Sequence, residues 1–382
     1  MNKINTTDMK INIASTHRFH LLDLARELEK QGHDVKFYSY VPQKRCIQFG
    51  LNKKSCHSFT WIVLPFLLLE RILPQYIKIN RLRNIVIDYY ISLFMRPCDI
   101  YISLGSVYKQ SIIKAQKKYK AITILEWGSK HIIEQLTMFN KLETYPQYNL
   151  KRELEEYKLV DYISIATDHV KQSFLKHNIS ESKLLVNPYG VDLAQFYPTK
   201  LNYNFDVIMV GGWRKEKGCD LLIEACRKYK FSLLHVGSLV NMEFPQDTNM
   251  KHHDAVNQCE LIKFYSQAKV FALPSRAEGL AMVQAQALAC GLPIVCSKET
   301  GGRDLRALLT EKKWIIEMKE LTIDELGRCI IEAIKLSDTQ QGIRNYAHND
   351  INKFTWEAYG RRYNDFIKET TMRYNSIDTL YD

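Results

Sequence analysis

The sequence predicts an α/β protein of two domains, and three observations carry that expectation. A chain of 382 residues, 46% apolar and 25% charged, is long enough for two cores of ordinary size. Its first forty residues read as strand, amphipathic helix and strand, the opening of a parallel sheet. Residues 274–297, PSRAEGLAMVQAQALACGLPIVCS, read as a loop, a helix and a strand with a carboxylate at the joint.

Taken in order, KINIAS (10–15) has the apolar run of a buried strand. LLDLARELEKQGHDVKFYSY (21–40) reads as a helix closed by Gly32 and then a second strand. The turn between them, Thr16 to His20, lacks the glycines of a dinucleotide fingerprint, which gives little support to an oxidoreductase. DIYISL (99–104) and AITILE (121–126) are further strands flanking a basic helix. The second ends in EWGSKHIIEQ, so Glu126, Ser129 and His131 lie just past the carboxyl end of a strand, where open α/β sheets place ligands. A His that merely caps the next helix is the competing explanation for His131. Residues 161–198 run strand, helix, strand and turn.

FDVIMVGGWRKEKGCDLL then predicts a strand at 205–210, a glycine loop and a helix. Gly211 and Gly212 let backbone approach a ligand, and Arg214, Lys215 and Lys217 bring positive charge to the strand end. FSLLHVG and 252–270 continue the α/β pattern. In the 274–297 stretch a helix is expected from Leu280 to Cys290, with Gly291 at C′ and a strand at Ile294 to Cys296. Glu278 then precedes a helix N-terminus, and the amides of Gly279, Leu280, Ala281 and Met282 form a phosphate or pyrophosphate site. Gln286 lies roughly 12 Å further along, a span that suits a ligand with polar groups on either side of a diphosphate. The plainer alternative is a strand-helix-strand unit whose Glu is a first-turn acid stabilised by the helix dipole.

Composition narrows the class. The nine Cys are scattered without a C-x-x-C pair, which signals neither a disulfide framework nor a zinc site and fits a reducing cytoplasm. No signal peptide is expected at the start, and the longest apolar run, FTWIVLPFLLL at 59–69, is too short to span a bilayer. Residues 1–200 carry 29 Lys plus Arg against 18 Asp plus Glu, whereas 201–382 carry 24 against 24. The basic excess, with INRLRN near FLLLERIL, points to an anionic membrane surface rather than nucleic acid, against the alternative of a solvated basic face.

The stretch PSRAEGLAMVQAQALACGLPIV resembles the donor-site signature of retaining family 4 glycosyltransferases (glycosyltransferases group 1) of the GT-B fold, in which two Glu residues separated by seven frame a nucleotide sugar. Gln286 stands at the second Glu. The resemblance implies two Rossmann-like domains facing each other across a cleft, with NPYGVDLAQFYP closing the first. The expected division is 1–198 for the acceptor domain, Lys200 to Asn204 as linker, 199–354 for the donor domain, and about 355–382 returning as a helix to the first. It implies catalytic roles for Glu278, Lys217 and His131. Donor contacts would come from Gly211, Gly212, Gly279, Leu280, Ala281, Met282, Gln286, Asp254 and Val256, the last two beside the nucleobase. The family's diphosphate Lys falls on Lys217, while its Arg position holds Gly212, leaving Arg214 as a displaced substitute. His17, Arg18, Glu126 and Ser129 would meet the acceptor. The sequence contains no Asp-x-Asp, so fixed cations and a helix start, rather than a metal, would offset the leaving diphosphate, with no cofactor. The expected function is transfer of a sugar from a nucleotide-diphosphate sugar to a glycan or lipid-linked hydroxyl in surface polysaccharide synthesis. The alternatives are an epimerase or phosphorylase of the same fold, or a catalytically weak nucleotide-sugar-binding protein.

Overall fold

The structure is a computed structural model that describes residues 8–73, 77–200, 203–340 and 350–381. Of the expected linker, Leu201 and Asn202 lie outside the described residues, as do residues 1–7. The chain forms two compact units: Met1–Ile165, Phe174–Asn187 and Tyr359–Asp382 in the first, Ala166–Ser173 and Pro188–Ala358 in the second.

Unit 1 is built on seven parallel strands: β1 (Lys10–Ala14), β2 (Asp34–Ser39), β3 (Cys56–Ser58), β4 (Ile100–Leu104), β5 (Ile122–Glu126), β6 (Tyr162–Ile165) and β7 (Leu184–Val186). Their order is β3-β2-β1-β4-β5-β6-β7. Buried Ile11, Ile13, Ile100, Ile102, Ile124 and Leu125 form the centre, as near-continuous apolar strands covered on both faces require. The helix Phe19–Lys30 packs Leu21, Leu24, Ala25 and Leu28 inward, starting two residues earlier than its apolar run suggests. The apolar run at 59–69 becomes part of the helix Thr60–Ile72, with Pro65 inside it. No helix among the described residues is long and apolar enough to cross a membrane.

Unit 2 holds six parallel strands: β8 (Phe205–Val210), β9 (Leu233–Val236), β10 (Met250–His253), β11 (Ala268–Leu273), β12 (Ile294–Cys296) and β13 (Ile315–Glu317), in the order β10-β9-β8-β11-β12-β13. The direction of winding reverses between β8 and β11, which pair directly through Val207 with Val270 and Ile208 with Phe271. Chains leaving the carboxyl ends of these two strands diverge to opposite faces, so a crevice opens there by topology alone.

The helix after β11 runs Met282–Ala289, shorter than the expected Leu280 to Cys290. Ala281 is extended, at φ −75° and ψ 97°, and its N–H donates to the Thr300 carbonyl at 3.2 Å, which delays the first helical residue. The end matches expectation. Gly291 takes φ +86°, its N–H meets the Leu288 carbonyl at 2.9 Å, and Leu292 N–H meets that of Ala287 at 3.0 Å, a double closure that favours glycine at this position.

One glycine sets the distance between the two crevice loops. Gly218 sits at φ +73°, and a Cβ placed there would lie 2.1 Å from the Pro274 carbonyl oxygen. Gly211 also has positive φ (+130°) but nothing within 4 Å of a built Cβ. Gly218→Ala should therefore lower the unfolding free energy by about 3 kcal/mol, combining backbone strain with a backbone clash, whereas Gly211→Ala should lose only about 1 to 2 kcal/mol from strain. Urea unfolding of both variants tests this. Equal losses would mean that the loop beside Pro274 yields freely.

Candidate functional site

The two loops that flank the unit 2 crevice carry the two residues singled out most strongly. After β8 the chain passes through Gly211 and Gly212 into a short turn of helix, Lys215–Lys217. After β11 it runs from Pro274 to Ala281. The Lys217 ammonium and the Glu278 carboxylate form an ion pair across the gap, with about a fifth of each side chain exposed. A second set of contacts locks the loops together. Arg276 N–H donates to the Glu216 carbonyl at 2.8 Å, and the Arg276 guanidinium grips Asp220 with two bonds of 2.7 and 2.8 Å. Burial works against the Asp220 charge, but the Arg276 bonds and charge, with nearby amides, hold its carboxyl below the usual carboxylate range. Ser275 Oγ donates to the Glu216 carbonyl at 3.0 Å and lies 3.3 Å from Glu278 Oε1. His169 Nε2 donates to the Glu278 carbonyl at 2.9 Å, which fixes the backbone of Glu278 from another side.

Arg214 lies where the missing side chain of Gly212 leaves room: a Cβ on Gly212 would come within 2.9 Å of its guanidinium. The absent side chain and the displaced cation are thus complementary. Of the predicted amides, that of Ala281 is not free, because Thr300 accepts from it; the helix start is Met282. Gln286 is 6% exposed, and its carbonyl oxygen accepts from Tyr265 Oη at 3.2 Å. One of that oxygen's two lone pairs is thus engaged. Leu280 is buried, Val256 half-buried and Asp254 exposed.

Sequence reading missed a chain of imidazoles behind the glycine loop. His235 Nε2 donates to the Gly211 carbonyl at 2.8 Å, so the neutral ring accepts at Nδ1 from His252 Nδ1, 2.9 Å away. His252 Nε2 stands 3.4 Å from the Asp254 carboxylate. Trp213, fully buried, packs on His235 and donates to the Glu243 carbonyl at 3.1 Å. The available signal was a His inside the apolar strand FSLLHV, where a polar ring needs a partner.

Unit 1 places its candidates at the carboxyl ends of β1 and β5. His17 is exposed and meets Tyr40 Oη at 2.9 Å and Thr16 Oγ1 at 2.9 Å. The Arg18 guanidinium lies 3.7 Å over the Phe49 ring. Glu126 is buried; one oxygen binds His20 at 2.7 Å and the other has no partner among the described residues. His20 was not singled out. Ser129 is half-buried in the turn after β5. His131 occupies the N-cap position of the helix Ile132–Met138 without capping it through its side chain. It is 2% exposed, stacked on His177 at 4.3 Å and flanked by Tyr157 and Phe174. The ring is part of the unit 1 core rather than an open surface.

Comparison with known proteins fits this geometry. Residues 198–350 match the family model described as Glycosyl transferases group 1. The chain is 25% identical over 199 residues to an uncharacterised glycosyltransferase of Methanocaldococcus jannaschii, covering 48% of this chain and 54% of that one. It is 25% identical over 240 residues to the capsular polysaccharide biosynthesis glycosyltransferase CapM of Staphylococcus aureus, covering 55% and 63%. The matches thus span between half and two thirds of these relatives. Anabaena HepE, solved with UDP and glucose, superimposes with a TM-score of 0.63 at 13% identity over 94% of this chain and all of that one. The fold of the chain is GT-B.

Two of the buried rings make stability depend on pH. Burial pulls His131 and His235 down to about 4, helped for each by the neighbouring imidazole, His177 and His252 respectively. Between the unfolded value of 6.5 and about 4 the unfolded chain binds more protons than the native one, so stability falls as pH falls through that window and is complete above it. Thermal midpoints should drop progressively from pH 7 to pH 4.5, and His131→Phe should flatten the drop. A midpoint that holds steady or rises on acidification would contradict neutral burial.

Proposed function

We propose that the chain is a glycosyltransferase that moves a sugar from a nucleotide-diphosphate sugar to a hydroxyl of a glycan or lipid-linked acceptor, with retention of anomeric configuration and without a metal. The observation that carries this reading is the meeting of Lys217 and Glu278 on the two loops of the unit 2 switch point. A departing nucleoside diphosphate develops negative charge, and fixed donors aimed at that charge lower the barrier. Lys217 supplies one cation, Arg214 above Gly212 a second, and the Met282 helix start a partial positive charge. When a diphosphate takes over the ammonium, the Glu278 carboxylate is released to accept hydroxyls of the sugar. The UDP and glucose named in the HepE structure support this ligand class, and CapM's name supports surface polysaccharide as the product. Nine unpaired cysteines, eight of them buried, suit the cytoplasm that we also propose.

A thermal-shift screen of UDP-, GDP- and dTDP-sugars is the direct test, because a ligand at 100 times its dissociation constant adds about 2.7 kcal/mol. One base should stand out. Lys217→Ala should then reduce donor turnover on the order of 100-fold with the thermal midpoint nearly unchanged, and wild-type turnover should persist in EDTA. Wild-type rates in the variant, or activity lost to EDTA and regained with magnesium, would refute the role given to Lys217. Gln286→Ala should weaken the nucleoside diphosphate about fivefold, the worth of one neutral hydrogen bond of about 1 kcal/mol, and unchanged affinity would remove Gln286 from the site.

A further inference from the structure

An ordinary surface helix turns its apolar stripe inward. The helices Thr60–Ile72 and Ile77–Phe94 of unit 1 bury Ile62, Val63, Ile87 and Ile91 but also carry apolar stripes on the outward side. On the first, Trp61, Leu64, Leu68, Leu69 and Ile72 recur at helical spacing and are exposed, Trp61 by 69% and Ile72 by 73%. On the second, Leu82, Ile85, Tyr89 and Leu93 form a matching outward stripe. Two charged side chains, Arg83 and Asp88, lie inside. Buried Arg83 pairs with Glu70 across the two helices and bonds Asn80. Buried Asp88 accepts from the amides of Lys109, Gln110 and Ser111 at 2.6, 2.7 and 3.1 Å, capping the next helix.

Those two acids are the only Asp or Glu between residues 59 and 98, and neither is exposed. Among the described residues, the exposed charges of the same stretch are Arg71, Arg81 and Arg96, all positive. A second copy of the chain would set like-charged rims against each other, which disfavours self-docking. An anionic bilayer offers hydrocarbon to the stripes and acidic headgroups to the arginines. Trp61 and Tyr89 are residue types that favour the level of the headgroups.

A cavity of about 290 Å³ beside the stripe adds an independent observation. Ile85 lines it together with Arg81, Asn84, Tyr148, Arg152 and Glu153, whose carboxyl is held by burial above the usual carboxylate range. Arg81 lies 3.2 Å over the Tyr148 ring, and the buried Arg152 Nε and Asn84 Oδ1 have no partner among the described residues. Cation, donor and acceptor are thus held ready beside an apolar surface, the arrangement that suits an acidic, hydroxylated headgroup.

We propose that the outward face of the Thr60–Ile72 and Ile77–Phe94 helices docks unit 1 on an anionic lipid bilayer, with an acidic headgroup in the cavity beside Ile85. This deepens the proposed function by favouring a lipid-linked acceptor, and rests on it only for what is done at the membrane. The test is sedimentation of the full chain with phosphatidylcholine vesicles, with and without phosphatidylglycerol. Wild type should bind the phosphatidylglycerol vesicles preferentially. Trp61→Ser, Leu68→Ser and Ile72→Ser combined should weaken that binding about tenfold or more, as loss of three inserted apolar groups requires. Arg81→Gln should remove the preference for phosphatidylglycerol. The triple variant should keep its far-ultraviolet circular dichroism and any nucleotide-sugar thermal shift, so a failed docking surface and a failed donor site give different results. The proposal is overturned by equal binding of wild type to both vesicle types or by a triple variant that sediments as wild type does. It is equally overturned by a wild-type dimer that the triple variant splits with vesicle binding unchanged, which would make the face a self-association surface.

Discussion

The unit 2 site depends on how closely two loops can approach at the end of a parallel sheet. That approach is limited by backbone, since the Gly218 Cα faces the Pro274 carbonyl with no room for a methyl group. Once the loops are this close, the Arg276–Asp220 clamp, the bond from Arg276 N–H to Glu216 and the Ser275 hydroxyl follow as short-range contacts. Lys217 and Glu278 are then held together while keeping some exposure. An ion pair in that state is a poor stabiliser, since solvent screens it. Its effect is positional: it holds a cation and a carboxylate together at the mouth of the crevice.

Much of the site was legible because its residues are close in sequence to turn signals. Gly211, Gly212 and Gly291 mark a strand end and a helix cap, so the loops bearing Lys217 and Glu278 could be assigned to the carboxyl ends of strands from the sequence. The helix boundary at Met282 was not legible, because the cause is a hydrogen bond from Ala281 to Thr300, nineteen residues away. The same limit applies to Gln286, whose oxygen is claimed by Tyr265, and to the His235–His252 chain, which joins two strands. Strands β10 and β13 carry too short or too polar a pattern to be seen by alternation alone.

Unit 1 shows a different trade between local pattern and tertiary demand. The run at 59–69 is apolar enough to suggest a buried element, yet only Ile62 and Val63 of the helix Thr60–Ile72 are buried. The neighbouring helix turns Arg83 and Asp88 inward beside Ile87 and Ile91, and the two charged groups satisfy Glu70 and a helix N-terminus. The inward face is thus partly polar, while a further set of apolar side chains stands outside. His131 illustrates the converse: a polar residue at a strand-to-helix turn, where ligand contacts are common, is instead packed among Tyr157, Phe174 and His177.

The central claim is that Lys217 and Glu278 act as one unit at the donor site. A double-mutant cycle measures this directly: donor turnover is compared for wild type, Lys217→Ala, Glu278→Ala and the double variant. The account predicts strong non-additivity, with the double variant little worse than the poorer single and a coupling of about 1 to 3 kcal/mol. Effects that simply add would mean that the pair meets without working together, and would contradict the account.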